Sequence, residues 1–124
     1  MYEKFGQFID GKWQASSNKE TYEVINPANE EVIGRASKAT PEDVDRALKS
    51  AEKGLEVWKK TSPWKRSSVI RKIADLIRAK QDVLAKWITL EVGKPFIEGK
   101  GEVGATADIF EWNSEETKRI YGQT

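Results

Sequence analysis

The pair Asp10-Gly11, set between Phe8-Ile9 and Lys12-Trp13, constrains this chain more than any other local feature. A two-residue loop between β-prone flanks closes into a hairpin only when both central residues accept positive φ, and Asp-Gly does so readily. The spacing predicts a tight hairpin over Phe8 to Trp13. A second one follows. Tyr22, Val24 and Ile25 form a β-prone run, Asn26-Pro27 stops it, and Asn29-Glu30 turns the chain into Val32-Ile33.

From residue 40 the pattern changes period. Thr40-Pro41-Glu42-Asp43 is a helix start, with Thr40 as N-cap, Pro41 at the first helical position and acids facing the positive end of the dipole. Val44, Ala47, Leu48, Ala51, Leu55 and Trp58 then recur at three- and four-residue spacing, one apolar stripe on an amphipathic helix. Ser62-Pro63 repeats the start signal ahead of Val69, Ile70, Ile73, Ala74, Leu76 and Ile77. Asp82 restarts the helix, Leu84, Trp87, Ile88 and Leu90 carry it on, and Gly93 with Lys94-Pro95 ends it. A long last helix is expected from Phe96 through Tyr121, with Val103, Ala107, Phe110, Ser114 and Thr117 on one face. The organisation read from sequence is a hairpin region over 1–37 and a helical region over 40–122, mostly α with two short hairpins and three to four helices.

Composition closes several doors. The chain has 124 residues, 33% of them charged and 38% hydrophobic, which suits one folded domain. Lysine and arginine total 21 against 20 acids and interleave along the chain, so no nucleic-acid partner is expected. No apolar run reaches membrane-spanning length and no apolar leader follows Met1, so neither a membrane nor secretion is expected, and a cytoplasmic location follows by default. Cysteine and histidine are both absent. A thiolate nucleophile, a cysteine zinc site and the commonest general base are therefore unavailable to these residues.

Gly99-Lys100-Gly101-Glu102-Val103-Gly104 matches G-x-G-x-x-G, the dinucleotide-loop pattern. Such a loop must leave a buried strand and enter a helix. Lys94 to Glu98 is too polar and too short for that strand, and Glu102 would set a carboxylate beside the phosphates. The simpler reading is that these glycines let the last helix approach another backbone or leave open space beside it. Glu98, Glu102, Glu111, Glu115 and Glu116, interleaved with Lys94, Lys100, Lys118 and Arg119, read as a solvated helix face rather than a metal site. Trp58, Trp64 and Trp87 are expected to pack in a core.

The FIDGKW and NPANEEVI blocks, the Pro41-Glu42-Asp43-Val44 start, the helix ending in Trp58, the Arg66 to Ile77 helix and Thr89-Leu90-Glu91-Val92-Gly93-Lys94-Pro95 occur in an order and spacing that resembles the start of NAD(P)-dependent aldehyde dehydrogenases. The last segment looks like that family's T-x-E-x-G-K-P block, and Phe110-Glu111-Trp112 with Glu115-Glu116 and Lys118 to Gly122 is similar to the succinate-semialdehyde type.

The resemblance implies an α/β parent fold in which this stretch opens the coenzyme-binding domain. It also implies NAD or NADP as cofactor and a dimeric or tetrameric homo-oligomer. In that family a cysteine attacks the aldehyde, an oxyanion hole steadies the adduct and a glutamate activates water. Cysteine, P-W-N-F, E-L-G-G and G-S-T-x-x-G do not occur in these 124 residues. The expectation is an amino-terminal part of a longer enzyme, inactive alone, with no catalytic or cofactor-binding residue of its own, binding no cofactor alone and having the remainder of the enzyme as its partner. Two lesser roles carry over by position. Val24 or Ile25 would offer a main-chain carbonyl, and Glu91 its carboxylate, to a monovalent cation. Ala105, Ile109 and Trp112 would border the aldehyde tunnel. The competing expectations are a free-standing helical interaction module descended from such an enzyme, and a small nucleotide-binding protein using Gly99 to Gly104.

Overall fold

The computed structural model describes residues 6–122. It contains two antiparallel strand pairs followed by four α-helices: β1 (Gln7–Ile9), β2 (Lys12–Gln14), β3 (Thr21–Ile25), β4 (Val32–Ser37), α1 (Pro41–Trp58), α2 (Pro63–Ala79), α3 (Gln81–Val92) and α4 (Phe96–Glu116), closed by a 3₁₀ turn over Thr117–Arg119. The chain divides into two compact units, Met1–Lys59 and Lys60–Thr124. Strand gives way to helix at Pro41, but α1 belongs to the unit that holds the hairpins.

Both hairpins form where their turn residues demand. Asp10 and Gly11 take φ of 54° and 74°, the paired positive values of a type I′ turn, and Phe8 lies opposite Trp13 with ring centroids 5.1 Å apart. In the second turn Asn26 and Asn29 each bend the backbone through their side chains. Asn26 Oδ1 accepts from the Ala28 amide at 3.0 Å, Asn29 Oδ1 accepts from Glu31 at 3.2 Å, and Glu30 adopts φ 59°. The β3–β4 ladder skips Ile33 between the Val24–Gly34 and Ile25–Val32 pairs, a bulge in its register.

The helix starts match their signals. Thr40 and Ser62 hydroxyls accept from the amides of Asp43 and Lys65, with Pro41 and Pro63 at the first helical position. Helix α3 begins at Gln81, one residue before the expected restart and without a side-chain cap, and stops at Gly93, whose φ of 75° is the left-handed value that ends helices.

Two expectations need correction. The last helix ends at Glu116, five residues before Tyr121. There the Ser114 hydroxyl donates to the Glu111 carbonyl at 2.6 Å and Thr117 to the Asn113 carbonyl at 2.8 Å; such side-chain bonds compete with the helical ladder and the chain tightens into a 3₁₀ turn. Trp58 and Trp64 are not core: Trp58 is 38% exposed at the end of α1, and Trp64 is 71% exposed on the first turn of α2, with Lys118 Nζ 5.3 Å from its ring centroid.

In the second unit α4 packs against both α2 and α3. The buried contact residues are small: Ser67 and Ala74 on α2, Ala85 on α3, and Gly99, Ala107 and Ser114 on α4, with Val103 the largest. Small residues at the crossings let the backbones approach and leave the larger aliphatics half-buried around them.

Candidate functional site

The first unit is organised around one carboxylate. Asp43, at the third position of α1, is 1% exposed and is the buried residue of that helix. Its oxygens accept from the Ser17 hydroxyl at 2.6 Å, the Ser17 amide at 3.1 and 3.2 Å, the Thr40 amide at 3.0 Å and Gln7 Nε2 at 3.2 Å, and Arg46 pairs with it from one turn on. These bonds, led by the Ser17 hydroxyl and the Thr40 amide, hold its ionisation well below the usual carboxylate range against the opposing effect of burial. Asp43 thus ties β1, the loop after β2 and the start of α1 together. From sequence it was legible only as an acid in the first turn. The Thr40-x-x-Asp43 spacing is a capping box, and that pattern was the available signal.

The apolar stripe of α1 is left uncovered. Val44, Leu48 and Leu55 are all exposed, Leu48 and Leu55 at 59% each, and Trp58 is only partly covered. A helix that buries a carboxylate and exposes its leucines has its packing face uncovered.

In the second unit Ala105, Ile109 and Trp112 fall at i, i+4 and i+7 on α4, and all are exposed, Ile109 at 61% and Trp112 at 70%. They share one open helix face. A separate groove of about 380 Å³ runs among α2, α3 and α4, walled by Ile77, Leu84, Trp87, Ile88 and Val103 with Glu91 on its lining. Val24 and Ile25 sit on β3 in the first unit and Glu91 near the end of α3 in the second, so neither unit alone assembles the three.

The Gly99 to Gly104 stretch is helix interior. A Cβ on Gly99 would stand 3.2 Å from the Ala85 carbonyl, whereas one on Gly101 would meet nothing within 4 Å. The glycines are thus a close approach and an open flank, as expected. Residues that enter from Pro95 and bond as helix cannot cradle a pyrophosphate, so this segment does not fit a dinucleotide. Four of the five acids of the α4 cluster are ion-paired: Glu102 with Lys94 at 2.5 Å, Glu115 with Lys118 at 2.9 Å, Glu116 with Arg119, and Glu111 with Arg71 at 2.9 Å and with Arg78. Glu102 in turn raises the Lys94 ammonium above its ordinary value. Among the described residues no group of acids is placed to hold a metal, and no helix is long and apolar enough to cross a membrane.

Known proteins with this pattern are enzymes. Residues 13–124 match the aldehyde dehydrogenase family model. The chain is 40% identical to the glutarate-semialdehyde dehydrogenase of Pseudomonas aeruginosa over 117 residues, 94% of this chain and 24% of that protein. It is 38% identical to the NADP(+) succinate-semialdehyde dehydrogenase of Escherichia coli over 116 residues, again 94% and 24%. Among solved structures, a betaine aldehyde dehydrogenase of Staphylococcus aureus in complex with NAD+ superposes with a TM-score of 0.93 at 33% identity, covering 97% of this chain and 25% of that one. An NADP-dependent enzyme of E. coli gives 0.92 at 36% identity, covering 100% and 26%. The chain therefore spans about a quarter of the length of the relatives it matches, and the matched stretch is their amino-terminal part. With hairpins, helix order and sequence all in agreement, the chain belongs to the aldehyde dehydrogenase family.

Proposed function

We propose that this chain works as the amino-terminal part of an NAD(P)-dependent aldehyde dehydrogenase that oxidises a semialdehyde of the succinate or glutarate kind, supplying scaffold while the nucleophile, general base and cofactor site lie in the rest of the enzyme. The observation that carries the reading is uncovered surface. Val44, Leu48 and Leu55 stand exposed along α1, as expected of a helix whose covering sheet lies elsewhere in the enzyme.

Two residue-level roles go with this reading. The exposed face bearing Ala105, Ile109 and Trp112 borders the aldehyde path, where the small side chain at 105 leaves room for a carboxylate-bearing substrate. The carbonyl of Val24 or Ile25, beside the β3–β4 bulge in the first unit, and the Glu91 carboxylate in the second are each the hard oxygen type that a monovalent cation takes as ligand. The parent acts as a homo-oligomer.

The test is complementation. Incubated alone with NAD or NADP and either semialdehyde, the chain should give no reduced nicotinamide. Mixed with a family enzyme lacking the corresponding segment, it should restore aldehyde-dependent reduction. Turnover by the chain alone, or a soluble mixture that stays silent, sinks the proposal. A helical interaction module would instead be monomeric at all concentrations; Leu48→Lys with Leu55→Lys should suppress self-association here without lowering helicity.

A further inference from the structure

The register of the first hairpin places Gln7, Ile9, Lys12 and Gln14 on one face, since Gln7 pairs with Gln14 and Ile9 with Lys12. That face is turned to α1: Ile9 is buried, Gln7 bonds to Asp43, and Arg46 donates to Gln14 Oε1 at 3.3 Å. Lys12 is therefore held on the helix side of its strand. Between the two elements lies a cleft of about 410 Å³ whose lining includes Lys12 from β2 and Arg46, Lys49, Ser50 and Lys53 from α1. Positions 46, 49, 50 and 53 form one stripe of a helix, so the cations of α1 face a cation of the hairpin.

Arg46 is neutralised by Asp43. Lys12, Lys49 and Lys53 make no ion pair among the described residues, although Asp45 and Glu52 stand within helical reach of Lys49; Glu56, within reach of Lys53, pairs with Lys59 instead. Lys38 of the same unit, by contrast, pairs with Glu20 at 3.5 Å. Against the three lysines the lining offers one further acid, Asp10, leaving an excess of two positive charges. Like charges gathered in a concave space repel one another and raise the local positive potential. A multivalent oxyanion relieves both.

We propose that this cleft binds a phosphate group, either free phosphate or the phosphate of a small organic molecule. Lys12, Lys49 and Lys53 supply point charges to its oxygens, the Ser50 hydroxyl supplies a donor, and the buried Ile9, also on the lining, offers an apolar contact to whatever the phosphate carries. The volume falls within the roughly 300–1,000 Å³ range of small-molecule pockets and exceeds the need of a lone ion. The site lies wholly in the first unit and does not rest on the dehydrogenase reading.

Equilibrium dialysis of the full 124-residue chain against radiolabelled inorganic phosphate, with sodium chloride holding ionic strength constant, tests it. Saturable binding is expected, weakened at least tenfold in K49Q/K53Q and in K12Q. Because those substitutions also remove repulsion, neither variant should melt below the parent in phosphate-free buffer, which separates loss of binding from loss of fold. A parallel series with adenosine 5′-monophosphate assigns the source: tighter binding than phosphate identifies an organic phosphate, equal binding a free one. Uptake that never saturates, or that the lysine variants leave unchanged, overturns the proposal.

Discussion

The two units solve the same problem in opposite ways. Unit 2 buries small apolar residues at its helix crossings, Ala74, Ala85 and Ala107 among them, and leaves its ion pairs on the surface. Unit 1 buries a charge and leaves the leucines of its one helix outside. Close packing of small residues is insensitive to pH and intolerant of added volume. A carboxylate clasp tolerates changes in surface volume but depends on ionisation and on each hydrogen bond around it. The difference teaches that unit 2 is closer to a self-sufficient core, whereas unit 1 is held locally and completed by what covers α1.

The most damaging change to unit 2 should be Ala107→Leu, which forces a large side chain into a site with no exposure. Overpacking of this kind costs about 1–3 kcal/mol, and chemical denaturation followed by amide exchange should show the loss confined to α2, α3 and α4. If protection in unit 1 falls equally, the two units are one cooperative body and the contrast fails.

Unit 1 should break at its clasp. Thr40→Ala removes the cap hydroxyl and is expected to cost about 1 kcal/mol; Asp43→Ala, which also strands the Ser17 and Gln7 donors and Arg46, should cost more. Acid separates the units in the same way. Asp43 ionises far below the ordinary value when folded, and near pH 3.9 when unfolded. Its stabilisation is therefore complete above about pH 4 and is lost progressively as pH falls below that. Glu115 in unit 2 is lowered by Lys118, but it is exposed and screened. Hairpin amide signals should thus disappear at higher pH than those of α4, and simultaneous loss would contradict the asymmetry.

The smallest effects are gains. Gly54 on α1 and Gly101 on α4 are helical, with open space where a Cβ would go. Replacing either by alanine should stabilise by about 0.5–1 kcal/mol, measured as a rise in Tm. A loss at Gly101 would mean that the flank of α4 is not open.

Much of this was readable in advance because it is local chemistry. Asp10-Gly11 determines its own turn, and Thr40-Pro41 and Ser62-Pro63 satisfy or remove the orphan amides of the helices they begin. The close approach read for the glycines is found at Gly99, where a Cβ would crowd the Ala85 carbonyl, and the open flank at Gly101. The early end of α4 was not readable, because Ser114 and Thr117 carry the same apolar spacing as the helix they weaken. Nor was the exposure of Trp64, since periodicity reports that a residue is apolar and not whether a neighbour arrives.

The sequence by itself determined the turn and helix starts, the order of elements, the family and the absence of cysteine and histidine; each follows from residues adjacent in the chain or from simple identity. Only the tertiary structure decided that Asp43 is the hub of unit 1, that α1 turns its polar stripe to the hairpin, and that Lys12 lines the same cleft as Lys49 and Lys53. Those facts depend on which surfaces meet. A helix with one polar and one apolar stripe is equally legible whichever stripe is covered, and the choice is made by residues thirty or more positions away, Gln7 and Gln14 reaching Asp43 and Arg46.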